Sequence, residues 1–171
     1  MRRPIIITLL VILHFILQTT IFHYFEIPGI LPNTTVILIV SYSLLRGKNE
    51  ALAVGLLCGL LQDIFFGYGF GFYTALDLVF ALIISLGQKN FYRENYLFPM
   101  IVCVLATICY ETVIFFFGLL TQGQMNLTAY LWNLLLPECV YTAVATIPLY
   151  RLLFAVNDWL ELKEKYKYRL F

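Results

Sequence analysis

Six apolar runs punctuate the chain, at about 4–25, 32–45, 50–66, 71–87, 97–120 and 129–154, and most charged residues fall between or beyond them. A hydrocarbon core about 30 Å thick needs about 20 apolar residues in a helix, so the pattern predicts six transmembrane helices. The first run, Pro4 to Phe25, follows Arg2 and Arg3 in the manner of a signal peptide. Its apolar core is too long for one and no Ala-x-Ala-like site follows, so it is read as an uncleaved anchor. The second run is short and opens at Pro32, which predicts tilt, a kink or a re-entrant flank. Only Gly67-Tyr68-Gly69-Phe70-Gly71 separates the third run from the fourth. Glycines there tolerate the dihedrals of a tight turn. Reading that stretch as one kinked span would leave five helices.

Charge decides between five and six. With six spans, Arg2, Arg3, Arg46, Lys48, Lys89, Arg93, Arg151, Lys163, Lys165, Lys167 and Arg169 all fall on one side of the membrane. The opposite loops, Glu26–Asn33, Gly67–Gly71 and Thr121–Thr128, carry no Lys or Arg. Positive-inside bias makes the basic side cytoplasmic, so both termini are expected inside. A five-span reading would place Lys89 and Arg93 outside. Residues 1–156 are therefore expected to form a compact all-α six-helix bundle with very short loops. Residues 157–171, which mix Trp159, Leu160, Leu162, Tyr166 and Tyr168 with Glu and Lys, are expected to form a cytoplasmic interfacial helix. A docking segment for a cytoplasmic protein is the other reading of that tail.

Composition agrees with this and removes other classes. The 171 residues are 61% hydrophobic and only 12% charged, against roughly 25% charged in an average soluble domain, so the surplus apolar surface must face lipid. A net charge of +1 gives no reason to expect a nucleic-acid partner. Cys58, Cys103, Cys109 and Cys139 all lie inside apolar runs without paired close spacing, so they are read as small apolar residues. The triplets Asn33-Thr34-Thr35 and Asn126-Leu127-Thr128 match the glycosylation pattern, but they lie beside the membrane and are given no weight. No nucleophile elbow, His-Glu-x-x-His or phosphate loop is present, and His14 and His23, nine residues apart on one helix, cannot chelate one ion. Neither an enzymatic activity nor a cofactor or metal is expected.

Ionisable residues inside a span cost roughly 2.5–3.5 kcal/mol each on insertion scales, so each needs a reason. Four acids fall within the spans, namely Asp63, Asp77, Glu111 and Glu138, and all belong to the outer half. Asp63 and Asp77 are expected near the wet interface, where a carboxylate needs no partner. Glu111 and Glu138 come at similar depth on antiparallel neighbours, so they are expected to meet or to share one polar pocket. Only His14 lies comparably deep among the basic groups, and one imidazole cannot neutralise four acids. Some must be neutral, wetted by a crevice, or paired with a partner's cations. A carboxylate dyad could also imitate an intramembrane protease or a proton relay, but the usual sequence setting is missing. Ala51, Gly55, Gly59 and Asp63 recur every four residues on one helical stripe. Small residues at that spacing admit a second helix backbone, either within the bundle or as a seam for a partner.

Three local patterns carry a family resemblance over essentially the whole length. They are the Arg2-Arg3-Pro4 start, the Gly55-x-x-x-Gly59-x-x-x-Asp63 stripe with its glycine-rich turn and Phe72-Tyr73, and Leu136-Pro137-Glu138 followed by Tyr141-Thr142 and Pro148-Leu149. In these the chain resembles the MreD family of rod-shape proteins. An Asn often follows the tyrosine in that family, where this chain has Thr142. The resemblance implies a non-catalytic membrane subunit of the bacterial cell-wall elongation machinery, in the cytoplasmic membrane. Its implied partners are a bitopic MreC-like protein and the membrane subunits of the wall synthases, with no small-molecule ligand.

The competing reading is a substrate-capture subunit of an energy-coupling-factor vitamin transporter. Such subunits have a similar size and six helices, and bind their ligand near the outer surface. Their first helix usually carries an Ala-x-x-x-Ala stripe, whereas this one reads Ile5-Ile6-Ile7-Thr8-Leu9-Leu10.

Overall fold

The computed structural model describes residues 2–20, 30–66, 71–87, 97–122 and 126–168. His23, residues 67–70 of the glycine turn, Lys89, Arg93, part of the Thr121–Thr128 loop and Arg169 lie outside the described residues. Within them the regular structure is helical: α1 (Arg2–Thr20), α2 (Thr34–Leu45), α3 (Lys48–Phe66), α4 (Phe72–Leu86), α5 (Leu97–Gln122), α6 (Leu127–Tyr130) and α7 (Leu136–Tyr168). A π-helical segment, Leu131–Leu135, joins α6 to α7 without a break, so six helical rods result. Helix α3, α5 through Leu120, and the last rod from Leu127 to Leu160 are each long and apolar enough to cross a membrane. The apolar parts of α1, α2 and α4 are shorter.

Helix α2 organises the rest. All of its 12 residues are buried, and at about 1.5 Å rise per residue it is only about 18 Å long. It therefore cannot cross about 30 Å of hydrocarbon alone. The run expected at 32–45 is a half-length central rod, not a lipid-facing span. A helix apolar on every side has no preferred lipid face, and it sits where every side finds protein. Leu38 and Ile39 join Ile7 and Val11 of α1 with Val54 and Cys58 of α3. Val36, Ile37 and Val40 join Leu76 of α4, Cys103 and Ala106 of α5, and Ala145 of α7. Large apolar side chains on the surrounding rods point outward instead, among them Ile5, Leu9, Phe116, Trp132 and Val144. That arrangement suits a lipid solvent.

The small-residue stripe binds α3 to α4. A side chain on Gly55 would place its Cβ 2.9 Å from the Asp77 carbonyl oxygen of α4. One on Gly59 would collide with the Thr74 backbone, its amide nitrogen lying 2.8 Å away. Of the two readings of Gly55, Gly59 and Asp63, packing within the bundle or a seam for a partner, the contacts at both glycines are of the first kind, with α4 against them. Cys58, Cys103 and Cys139 are buried, whereas Cys109 is exposed on α5.

Helix α7 runs unbroken to Tyr168, carrying Pro148 inside it. Between Arg151 and Tyr168 the sequence has no Gly or Pro and is rich in Leu, Glu and Lys, which favour helix. The tail is thus helical as far as Tyr168 and continuous with the last rod.

Candidate functional site

The polar residues gather around the beginning of α2. Ile30 to Asn33 approach it as irregular chain, and Asn33 caps it, its Oδ1 accepting from the Val36 N–H at 3.2 Å. This is the standard use of Asn at a helix start. The Asn33 backbone N–H donates to Oγ1 of Thr142 on α7 at 3.0 Å. Its side-chain Nδ2 reaches Oε1 of Glu111 on α5 at 3.4 Å. Glu111 Oε2 also accepts from the Tyr130 hydroxyl at 2.7 Å.

Glu138, near the start of α7, completes the group. Its carboxyl lies beside that of Glu111 and near Asn33. Glu111 and Glu138 are both buried, at 7% and 8% exposed.

The π-helical turn explains how Tyr130 and Glu138 reach the same place. Pro137 has no N–H to donate to the carbonyl four residues back, and its ring crowds that carbonyl. The chain widens there, and the Leu136 N–H bonds to the Leu131 carbonyl five residues back. Pro137 thus shapes the segment between the two residues, and partly buried Tyr141 lies one turn further along α7.

A second chain of bonds leaves α2 on its other side. The Thr35 hydroxyl donates to Oε1 of Gln18 on α1 at 3.3 Å, and accepts from Nε2 of Gln62 on α3 at 2.7 Å. Gln62 Oε1 in turn accepts from the Tyr110 hydroxyl of α5 at 3.0 Å. Between the two networks lies an open crevice of about 260 Å³, lined by Gln18, Asn33, Gln62, Tyr73, Tyr110 and Glu138 among others. All six rods thus contribute polar groups to one end of the bundle.

The remaining acids differ in how the chain engages them. Asp63 is 6% exposed and well supplied with donors. Its carboxylate accepts from the N–H groups of Gly71, Tyr73 and Thr74 at 3.1, 2.9 and 3.0 Å, and from the Thr74 hydroxyl. Gly71, at φ +98°, offers no side chain of its own to cap α4, so Asp63 caps it from the neighbouring helix. A carboxylate also suits the positive end of the helix dipole. Asp77 is wholly buried, and among the described residues neither of its oxygens has a hydrogen-bond partner. The Tyr110 hydroxyl lies beside it but gives its hydrogen bond to Gln62. His14 does not join the acids; it lies in an apolar cavity between α1 and α7.

Sequence reasoning missed Asn33, Thr35, Gln62, Tyr110 and Tyr130. Asn33 was legible as an N-cap, since Asn directly after Pro32 and before an apolar run is a start signal. The glutamine and tyrosines carried no such signal. Their role depends on which helices touch.

The family described as rod shape-determining protein MreD matches this chain over residues 2–157. No curated protein and no solved structure matches it.

Proposed function

The chain belongs to the MreD family, which implies a role in rod-shape determination, and from that premise we propose that it is a non-catalytic scaffold subunit of the bacterial cell-wall elongation complex. The family match, covering residues 2–157, carries the reading. The internal use of the acids supports it. Asp63 holds α4 to α3, and Glu111 ties α5 to the start of α2 and to Tyr130 of the last rod. Each of these groups does the work of a fastener. The vitamin-capture alternative gains nothing from these observations.

In this reading the six rods sit in the cytoplasmic membrane with both termini inside. Residues 1–156 form the bundle, and 157–171 lie on the cytoplasmic side. Gly55, Gly59, Asp63, Glu111, Glu138, Pro137 and Thr142 shape the bundle, Asp77 is enclosed within it, and His14 lies at the cavity between α1 and α7. An MreC-like bitopic protein and the membrane subunits of the wall synthases are the proposed partners. The one-sided Lys and Arg map supports the orientation.

Two experiments test this. Depleting the protein from a rod-shaped host should produce round cells, and the intact gene should restore rods; unchanged rods refute the function. Cysteine labelling should find Thr121–Thr128 accessible from outside and Gln88–Tyr96 only from inside. External labelling of Lys89→Cys refutes the topology.

A further inference from the structure

The open crevice of about 260 Å³ at the start of α2 has a mixed lining. Leu31, Pro32 and Phe66 supply apolar surface, while Gln18, Tyr110 and Glu138 are among the polar groups. Glu138 is 8% exposed and lies beside the equally buried Glu111. Among the described residues, no Lys, Arg or His pairs with either acid. His14 belongs to the separate cavity between α1 and α7. In the proposed topology the crevice opens at the outer end, whereas all 11 Lys and Arg residues lie on the cytoplasmic side. The chain therefore has no cation of its own to offer. The Tyr110 hydroxyl spends its single proton on Gln62, so its oxygen is left as an acceptor.

Two carboxyls side by side at low dielectric are relieved by a proton or by a cation. Glu138 lines an open crevice, so a cation can reach it from outside. The lining narrows which one. A calcium ion takes about 6–8 oxygen ligands, and among the described residues no group of three His, Cys, Asp or Glu could hold a metal. A phosphatidylethanolamine headgroup would bring its phosphate to an end of the bundle with acids and, among the described residues, no Lys or Arg. Pockets that enclose drug-sized ligands start at about 300 Å³, so the volume suits a single side chain better than a whole metabolite. An Arg or Lys side chain carries its charge on a slim apolar stem. The stem suits Leu31, Pro32 and Phe66, and the head can make a charge-assisted hydrogen bond to the carboxylate.

We infer that this crevice receives an Arg or Lys side chain from a partner protein, on the segment flanking the partner's transmembrane helix at the outer side, with its cationic head on Glu138. This rests on the partner-subunit reading above and names its contact.

The test places a photoreactive amino acid at Phe66, which lines the crevice and is 57% exposed, in the full chain in its native membrane. Mass spectrometry should locate the adducts in another protein, within about one helical turn of an Arg or Lys. The affinity of the purified complex is then measured in detergent. Glu138→Gln should weaken it about 30-fold or more while the melting midpoint of the chain alone changes little. Neutralising the partner's cation should weaken it equally, and combining the two changes should cost no more than either alone, because each already removes the pair. Should Glu138→Gln fold poorly, Leu31→Trp fills the crevice from its apolar lining, leaves the acids in place and should weaken the complex likewise. Adducts with phospholipid alone, with a second copy of this chain or with a segment lacking Arg and Lys overturn the proposal, as does the lack of any adduct. So do additive losses in the combined variant, or an affinity that neither Glu138→Gln nor Leu31→Trp changes. The two readings fail separately. If the adducts lie elsewhere while the gene still restores rods, the crevice contact alone is lost; if cells lacking the chain stay rod-shaped, the partner-subunit reading is lost.

Discussion

The backbone N–H of Asn33 donates to the hydroxyl oxygen of Thr142, 109 residues further along the chain, at 3.0 Å. One hydroxyl thereby fixes the start of the buried helix to the second turn of α7. The bond is partly buried, beside the crevice that Asn33 lines.

Replacing Thr142 by Val keeps the shape and removes the acceptor. Unfolding in detergent should show a loss of about 1–3 kcal/mol, the cost of one buried unsatisfied group. Thr142→Ser retains the oxygen and should lie close to wild type. Equal stability of Thr142→Val and wild type would show that the bond contributes nothing.

The two stripe glycines should not respond alike. A methyl on Gly59 meets the rigid backbone of Thr74, whereas on Gly55 it meets the Asp77 carbonyl oxygen and the Ala81 Cβ at 2.9 and 3.2 Å. Gly59→Ala should therefore cost about 3 kcal/mol or more, and Gly55→Ala about 1–2 kcal/mol, through forced separation of α3 and α4. Thermal melts of the purified single variants would rank them. The reverse order would contradict the contact geometry.

For the acid pair, charge and shape can be separated. Glu138→Gln keeps a hydrogen-bonding partner for Glu111 and should cost under about 1 kcal/mol. Glu138→Leu leaves Glu111 with its partner gone and should cost about 2–3 kcal/mol. If Glu138→Gln melts normally yet fails to restore rods, the Glu138 carboxyl is used by another subunit.

Asp77 invites the opposite outcome. Its carboxyl is wholly buried and makes no hydrogen bond among the described residues, so Asp77→Asn should leave stability unchanged or raise it by about 1 kcal/mol. A stable variant that cannot support rod shape would identify Asp77 as a group kept for function at the expense of the fold. A destabilised one would show that the carboxyl has a structural partner.

How far the sequence could be read depended on whether a signal was local. The Gly55, Gly59 and Asp63 stripe was visible because helical spacing alone aligns it, and the matched depth of Glu111 and Glu138 followed from counting residues. What remained hidden was relational. A carboxylate capping the next helix, as Asp63 does for α4, looks the same in sequence as one facing water. The run at 32–45 revealed that it was short, but only the surrounding rods show that it is enclosed. The helicity of the tail was legible in its Leu, Glu and Lys, whereas its continuity with the last rod was not, because no residue there marks either a break or its absence.

Enclosure of α2 has a consequence for how the protein is made. A twelve-residue rod lacks the hydrophobic length that lets an emerging segment partition into the bilayer on its own. Only Arg46 and Gly47 separate it from α3, which does have that length. Insertion of α2 is thus coupled to insertion of α3, the two entering as one hairpin. Until α5 and α7 arrive, Asn33 waits without the groups that will hold it, so the order of synthesis makes the last helix the one that locks the first half in place.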